Sequence, residues 1–126
     1  MLRDTAAIAN VAVKDLRTAK KFYEGTLGLT PVHVEGEEAI SYQSGNSTLN
    51  VYRSQFAGTN KATAVTWAVG KELEAVVRDL KAKGVTFEHY HNLPGMELEG
   101  DVHTSGDMKV VWFKDPDGNI LSAMNR

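Results

Sequence analysis

The stretch FEHYH, residues 87–91, holds two histidines two positions apart. On a strand that spacing turns both imidazoles to one face, as in some zinc sites. His103 follows, with Glu97, Glu99 and Asp101 before it, so a third donor stands in the same region. The competing reading is a pair of exposed histidines, His89 and His91, on an edge strand beside an acidic surface loop. Other chemistry is scarce. No nucleophile elbow, phosphate-binding glycine loop or Ser/His/Asp motif occurs. GNST (45–48) and GDMK (106–109) are turn-like, and neither is followed by a helix that would complete a phosphate cradle. The chain has no cysteine, which removes disulfides, thiolate metal sites and a cysteine nucleophile together.

The elements that must position these groups fit one domain. The 126 residues are 42% hydrophobic, enough for a globular core, and no run of about 18 apolar residues could span a bilayer. The beginning, MLRDTAAIAN, lacks the apolar segment of a signal peptide, and a cytoplasmic location is expected. Fourteen basic and sixteen acidic residues give a net charge of −2 with the signs interspersed. Lys14, Arg17, Lys20 and Lys21 crowd together, but Asp15 and Glu24 dilute them. This is a solvated helix face rather than a nucleic-acid footprint, so neither nucleic acid nor membrane is an expected partner.

The strongest organisational signal is an internal repeat. VAVKDLRTAKKFYEGTLGLTP (11–31) has a counterpart in WAVGKELEAVVRDLKAKGVTF (67–87). In each, a short apolar strand ends at a valine and a helix follows. Leu16, Ala19, Phe22, Tyr23 and Leu27 recur at three- and four-residue steps, as do Leu73, Val76, Val77 and Leu80. Asp15 is placed to cap the first helix, and glycines 28 and 84 end the two. A hairpin over 39–52, turning at Ser44-Gly45-Asn46, matches a second hairpin over 109–124, turning at Asp115-Pro116-Asp117-Gly118. The strands before these hairpins are expected at 30–36 and 85–92, and 92–107 reads as a long loop able to act as a lid. The order is strand, helix and three strands, written twice: module one over about 6–54 and module two over about 62–126 of a single 1–126 domain.

These motifs, VAVKDLRTAKKFYEGTLGL and the distant WFKDPDGNILSAM, resemble the vicinal oxygen chelate superfamily of glyoxalase I, fosfomycin-resistance thiol transferases, extradiol dioxygenases and bleomycin-resistance proteins. The resemblance runs from about Ile8 to Met124. It implies an α+β fold of two βαβββ modules whose mixed sheets curl into a cup with the helices outside, often assembled across a dimer. It also implies four metal-ligand places, occupied by His, Gln or Glu in metal-using members. Here those places fall on Ile8, on Ala64, on Asn50 (or its neighbour Leu49) and on Ser122. None is a usual ligand for zinc, iron, nickel or manganese.

Strand alternation then names the residues that face the cup. They are Ile8, Asn10 and Ala12; Thr48, Asn50 and Tyr52; Ala64, Thr66 and Ala68; and Ile120, Ser122 and Met124. From these, with Trp112 as an added wall, the expected ligand-binding set is Asn10, Asn50, Tyr52, Thr66, Trp112, Ser122 and Met124. Buried amides and hydroxyls cost about 1–3 kcal/mol if unpaired, so they must bond one another, water or a ligand. The leading expectation is a homodimer that binds a small organic molecule without a catalytic metal or other cofactor, as the bleomycin-resistance branch does. One alternative is a glyoxalase-like lyase, isomerase or thiol transferase with unusual ligands, His89, His91 and His103. The other is a noncatalytic interaction domain whose cup is filled by its own side chains.

Overall fold

A computed structural model describes all 126 residues, Met1–Arg126. It divides into two compact units, Met1–Lys61 with Asp115–Asn119, and Ala62–Lys114 with Ile120–Arg126. Each carries its own mixed sheet, one of four strands and one of five.

The first unit contains β1 (Ile8–Val13), α1 (Leu16–Lys20), β2 (Thr30–Glu35), β3 (Ala39–Ser44) and β4 (Ser47–Arg53). The strand order is β1-β4-β3-β2. β1 and β4 run parallel, as the helical crossover requires, and the other pairs are antiparallel. Asp15 caps α1 as expected, its carboxylate accepting from the Arg17 amide at 3.0 Å and the Thr18 hydroxyl at 3.0 Å. The helix is not uniform. After Lys20 it widens into a π-helical stretch, Lys21–Thr26, with the Leu27 amide reaching back to the Phe22 carbonyl. Val11, Val13, Ile40, Tyr42, Leu49 and Val51 alternate to the helix side, where they bury with Ala19 and Tyr23. The Tyr23 ring stacks on Tyr42 at 6.1 Å and meets the edge of Phe22 at 5.2 Å.

The turn Asp115–Asn119 belongs to this unit. Pro116 presets the second position, and the Gly118 amide closes the turn on the Asp115 carbonyl at 3.0 Å. The buried Asp115 carboxylate receives four donors. The Tyr23 hydroxyl (2.7 Å) and the Asn119 side-chain amide (2.8 Å) reach Oδ2, while the amides of Asp117 (3.0 Å) and Asn119 (2.9 Å) reach Oδ1. The Asn119 side chain also donates to the Ala12 carbonyl at 2.7 Å, tying the turn to β1. Gly58 passes so close that a Cβ there would overlap the Asp117 carbonyl oxygen.

The second unit contains β5 (Thr63–Ala68), α2 (Leu73–Ala82), β6 (Glu97–Glu99), β7 (Val102–Ser105), β8 (Met108–Lys114) and β9 (Ile120–Met124). Their order is β5-β9-β8-β7-β6, with β5 and β9 parallel. Val111, Phe113, Leu121 and Ala123 bury on the helix side with Leu73 and Leu80 of α2. Three expectations are corrected here. Residues 85–92 do not form a strand. Only Phe87 bridges to Phe113, and the Glu88 amide bonds the Trp112 carbonyl at 2.8 Å. The reason is competition for one edge, since β7 occupies the other half of β8 from Val110 to Met108. Residues 92–107 are not a loop lid, because β6 and β7 form a hairpin there that extends the sheet. The register of β5 also slips between Thr63 and Val65, placing Thr63 rather than Ala64 opposite Ile120.

Candidate functional site

On the helix-free face of the first sheet, Asn10 lies opposite Asn50, and Ala12 opposite Tyr52. The amides satisfy each other. Asn50 Nδ2 donates to Asn10 Oδ1 at 2.8 Å, Asn10 Nδ2 donates to the Ile8 carbonyl at 3.3 Å, and the Ser41 hydroxyl reaches Asn50 Oδ1 at 3.5 Å. Tyr52 is 36% exposed on the same face and Ile8 is 55% exposed.

The remaining predicted residues share the helix-free face of the second sheet. Thr66, Ser122 and Trp112 stand in register across three adjacent strands, with Ala68, Met124 and Val110 one pair further along. Ser122 is buried, and its hydroxyl bonds the Thr66 hydroxyl at 2.7 Å. The Trp112 indole N–H donates to the Thr63 hydroxyl at 3.0 Å, a partner that only the slipped register of β5 makes available. The seven predicted residues therefore form two sets: Asn10, Asn50 and Tyr52 in one unit, and Thr66, Trp112, Ser122 and Met124 in the other.

Two residues that alternation did not place complete the second set. His103 of β7 sits opposite Val110 and is fully buried. Its ring lies 4.9 Å from Trp112 and 5.7 Å from Tyr90, and Tyr90 lies 5.5 Å from Trp112. The Tyr90 backbone N–H donates to His103 Nε2 at 2.9 Å. An amide donor on Nε2 fits only an unprotonated nitrogen, so the neutral ring carries its proton on Nδ1. Burial holds the His103 pKa below its ordinary value, with His89 and His91 adding repulsion. Neither His103 Nδ1 nor the Tyr90 hydroxyl has a hydrogen-bond partner. The clue in the sequence was HYH followed by an isolated His103, but finding the cluster required the 97–105 hairpin and its register.

The histidines do not assemble a metal centre. His89 Nε2 bonds Asp101 Oδ1 at 2.8 Å, with Lys81 on the other carboxylate oxygen at 2.9 Å. His91 is exposed, and His103 is engaged by Tyr90. No group of three His, Asp or Glu side chains converges anywhere in the chain. Of the places where the resemblance puts metal ligands, Ile8 is aliphatic, Asn50 and Ser122 are bonded to Asn10 and Thr66, and the bulge in β5 brings Thr63, bonded to the Trp112 indole, to the face where Ala64 was expected. These residues do not fit a divalent metal. A separate depression of about 480 Å³ lies on the α2 side of the second sheet, lined by Lys71, Val77, Arg78, Val102, Thr104 and Lys109. None of the predicted site residues lines it.

Comparison with known proteins agrees with this architecture. An integron cassette protein from the mobile metagenome of a Halifax Harbour sewage outfall superposes with a TM-score of 0.71 at 18% identity, covering 97% of this chain and 98% of that one. A lactoylglutathione lyase from Agrobacterium tumefaciens gives 0.70 at 19% identity, covering 95% and 92%. The fosfomycin resistance protein FosX of Listeria monocytogenes gives 0.70 at 11% identity, covering 95% and 91%. At such identities the likeness is one of fold. No curated protein sequence matches the chain. A family model does match, over residues 5–122, and with the paired mixed sheets it shows that the chain belongs to the glyoxalase/bleomycin resistance protein/dioxygenase superfamily.

Proposed function

We propose that this protein binds a small organic molecule on the helix-free side of its sheets, without a catalytic metal, and acts by binding. The carrying observation is the state of the family's ligand places. Ile8 is aliphatic, and Asn50, Ser122 and the Thr63 that the bulge sets in place of Ala64 engage neighbouring side chains through their polar atoms. A Lewis acid would need several oxygen or nitrogen donors converging on one point. Ile8 supplies none, and Thr63, Asn50 and Ser122 already hold their oxygens against neighbouring side chains. In the same reading the protein works as a homodimer in the cytoplasm. The apolar Ile8, Val32 and Val34, each more than half exposed on the first sheet, support a second copy as the covering partner. No helix is long and apolar enough to cross a membrane.

Thermal unfolding of EDTA-treated protein tests this, with Mn²⁺, Fe²⁺, Co²⁺, Ni²⁺ or Zn²⁺ returned singly. A metal at a hundred times its dissociation constant adds about 2.7 kcal/mol, a rise of several degrees for a domain of this size. The expected result is no rise with any metal. A rise with one, together with one equivalent bound per chain, overturns the reading.

A further inference from the structure

We infer that the molecule this protein takes is a planar, unsaturated compound bearing a hydrogen-bond acceptor oxygen, held against Trp112 and Tyr90 with that oxygen on Nδ1–H of His103. The inference rests on the small-molecule reading above and names the ligand's class. It starts from a contrast between the polar groups on the two helix-free faces. The pairs Asn10–Asn50 and Thr66–Ser122 are closed on themselves, and the Trp112 indole is committed to Thr63. None of these is left asking for a ligand atom. His103 Nδ1 and the Tyr90 hydroxyl are buried without a partner.

The chemistry of the missing partner follows from the protonation state. With Nε2 accepting from the Tyr90 amide, His103 can offer only a donor at Nδ1. The Tyr90 hydroxyl is free to offer a second donor. Leaving such groups unpaired costs about 1–3 kcal/mol each, and an acceptor oxygen on Nδ1–H relieves the cost at His103. A carbonyl, phenolate or carboxylate oxygen meets that need, whereas an ammonium does not. The surroundings set the rest of the molecule. Three rings whose centroids lie within 5.7 Å of one another present edges and faces to anything that enters, a surface suited to a flat π-system.

Access is through Tyr90. His103 is fully buried, so the acceptor reaches Nδ1 only when a covering ring turns aside. Trp112 is anchored at its indole nitrogen and lies on a central strand. Tyr90 is half-buried, its hydroxyl is unanchored, and residues 88–96 lie outside any strand. Its ring is the one able to swing out and settle over the ligand.

Isothermal titration calorimetry on the full chain tests this with three probes: 2-naphthoate, cyclohexanecarboxylate and 2-naphthylmethylammonium. The first is flat and has the acceptor, the second has the acceptor but is not flat, and the third is flat without the acceptor. The expected order puts 2-naphthoate tightest by tenfold or more. His103→Gln keeps an oxygen for the Tyr90 amide but moves the remaining N–H donor off the Nδ1 position, so it should weaken 2-naphthoate at least tenfold. Tyr90→Phe keeps the ring and removes one donor, giving a smaller loss of about threefold, and serves if His103→Gln does not fold. The imidazole ¹H–¹⁵N spectrum should show the His103 Nδ1–H resonance move on addition of 2-naphthoate. Equal binding of all three probes, no binding of any, or an unchanged affinity in both variants overturns the inference. The broader reading falls only to the metal experiment.

Discussion

Replacing Tyr23 with phenylalanine isolates one hydrogen bond in the best-defined polar network of the molecule. Tyr23 is fully buried, and its ring makes two aromatic contacts that phenylalanine preserves. What disappears is the 2.7 Å bond to Asp115 Oδ2, leaving a carboxylate that is 5% exposed with three donors instead of four. A hydrogen bond to a charged group contributes about 1.5–3 kcal/mol, and Asp115 is buried, so the loss should be about 2 kcal/mol. For a chain of this length each kcal/mol moves the melting temperature by about 4 °C, giving a drop of about 8 °C. Urea unfolding with an unchanged slope and a lower midpoint would place the effect in the native state. A double-mutant cycle with Asp115→Asn should return a coupling of about 1–3 kcal/mol. A melting temperature within 1 °C of the parent protein would refute the reasoning.

Other perturbations read different parts of the structure. Gly58→Ala should destabilise well beyond the about 1–2 kcal/mol that a left-handed backbone position alone imposes, because its Cβ meets the Asp117 carbonyl. Gly28→Ala, at φ 74° with open space around it, is the control for that backbone cost, and equal losses in the two would discount the close approach. Burial and the Asp115 charge raise the Tyr23 pKa above its usual value near 10. The unfolded chain therefore gives up this proton first as pH rises, so stability should fall above about pH 10, less steeply in Tyr23→Phe. His103 has the opposite sense, its folded pKa being depressed. Below about pH 6.5 the unfolded state binds the extra proton more readily, so stability should decline with acidification and His103→Gln should flatten that limb of the pH–stability curve. Asp101→Asn breaks the contacts to Lys81 and His89 on a partly exposed surface and should change stability by less than about 1 kcal/mol in chemical denaturation.

The first unit was the more readable. Val11, Val13, Leu49 and Val51 follow strict alternation, and the two strands they lie on pair without a slip, so counting by twos put Asn10 and Asn50 on one face, where the structure sets them side by side. Asp15 and the Asp115–Gly118 turn were legible because each works through its own neighbours in sequence. The second unit resisted for two reasons. A bulge near Ala64 shifts Thr63 onto the face of Trp112, and one extra residue is invisible to a period-two count. The segment around Tyr90 has strand-forming residues but lost its edge to the 97–105 hairpin, a competition decided by pairing partners far along the chain. The polar residues that sequence reasoning favoured were those that could pair with each other. The unpaired ones became visible only when the hairpin's register put His103 beneath Tyr90 and beside Trp112.

The repeat in the sequence invites the idea of two separable halves, and the position of Asp115–Asn119 argues against it. A chain severed between Lys61 and Ala62 would send this turn away with the second fragment, although its five residues group with the first unit. The first fragment would keep a Tyr23 hydroxyl and an Ala12 carbonyl with no one to bond, and the second would carry a turn without its clamp. Each half should be a poor folder alone and recover only when mixed, in proportion to the concentration of its mate. An ancestral duplication here, once its products had exchanged this turn, would have been hard to undo: loss of the first copy strands the Asp115 carboxylate, and loss of the second strands the Tyr23 hydroxyl and the Ala12 carbonyl.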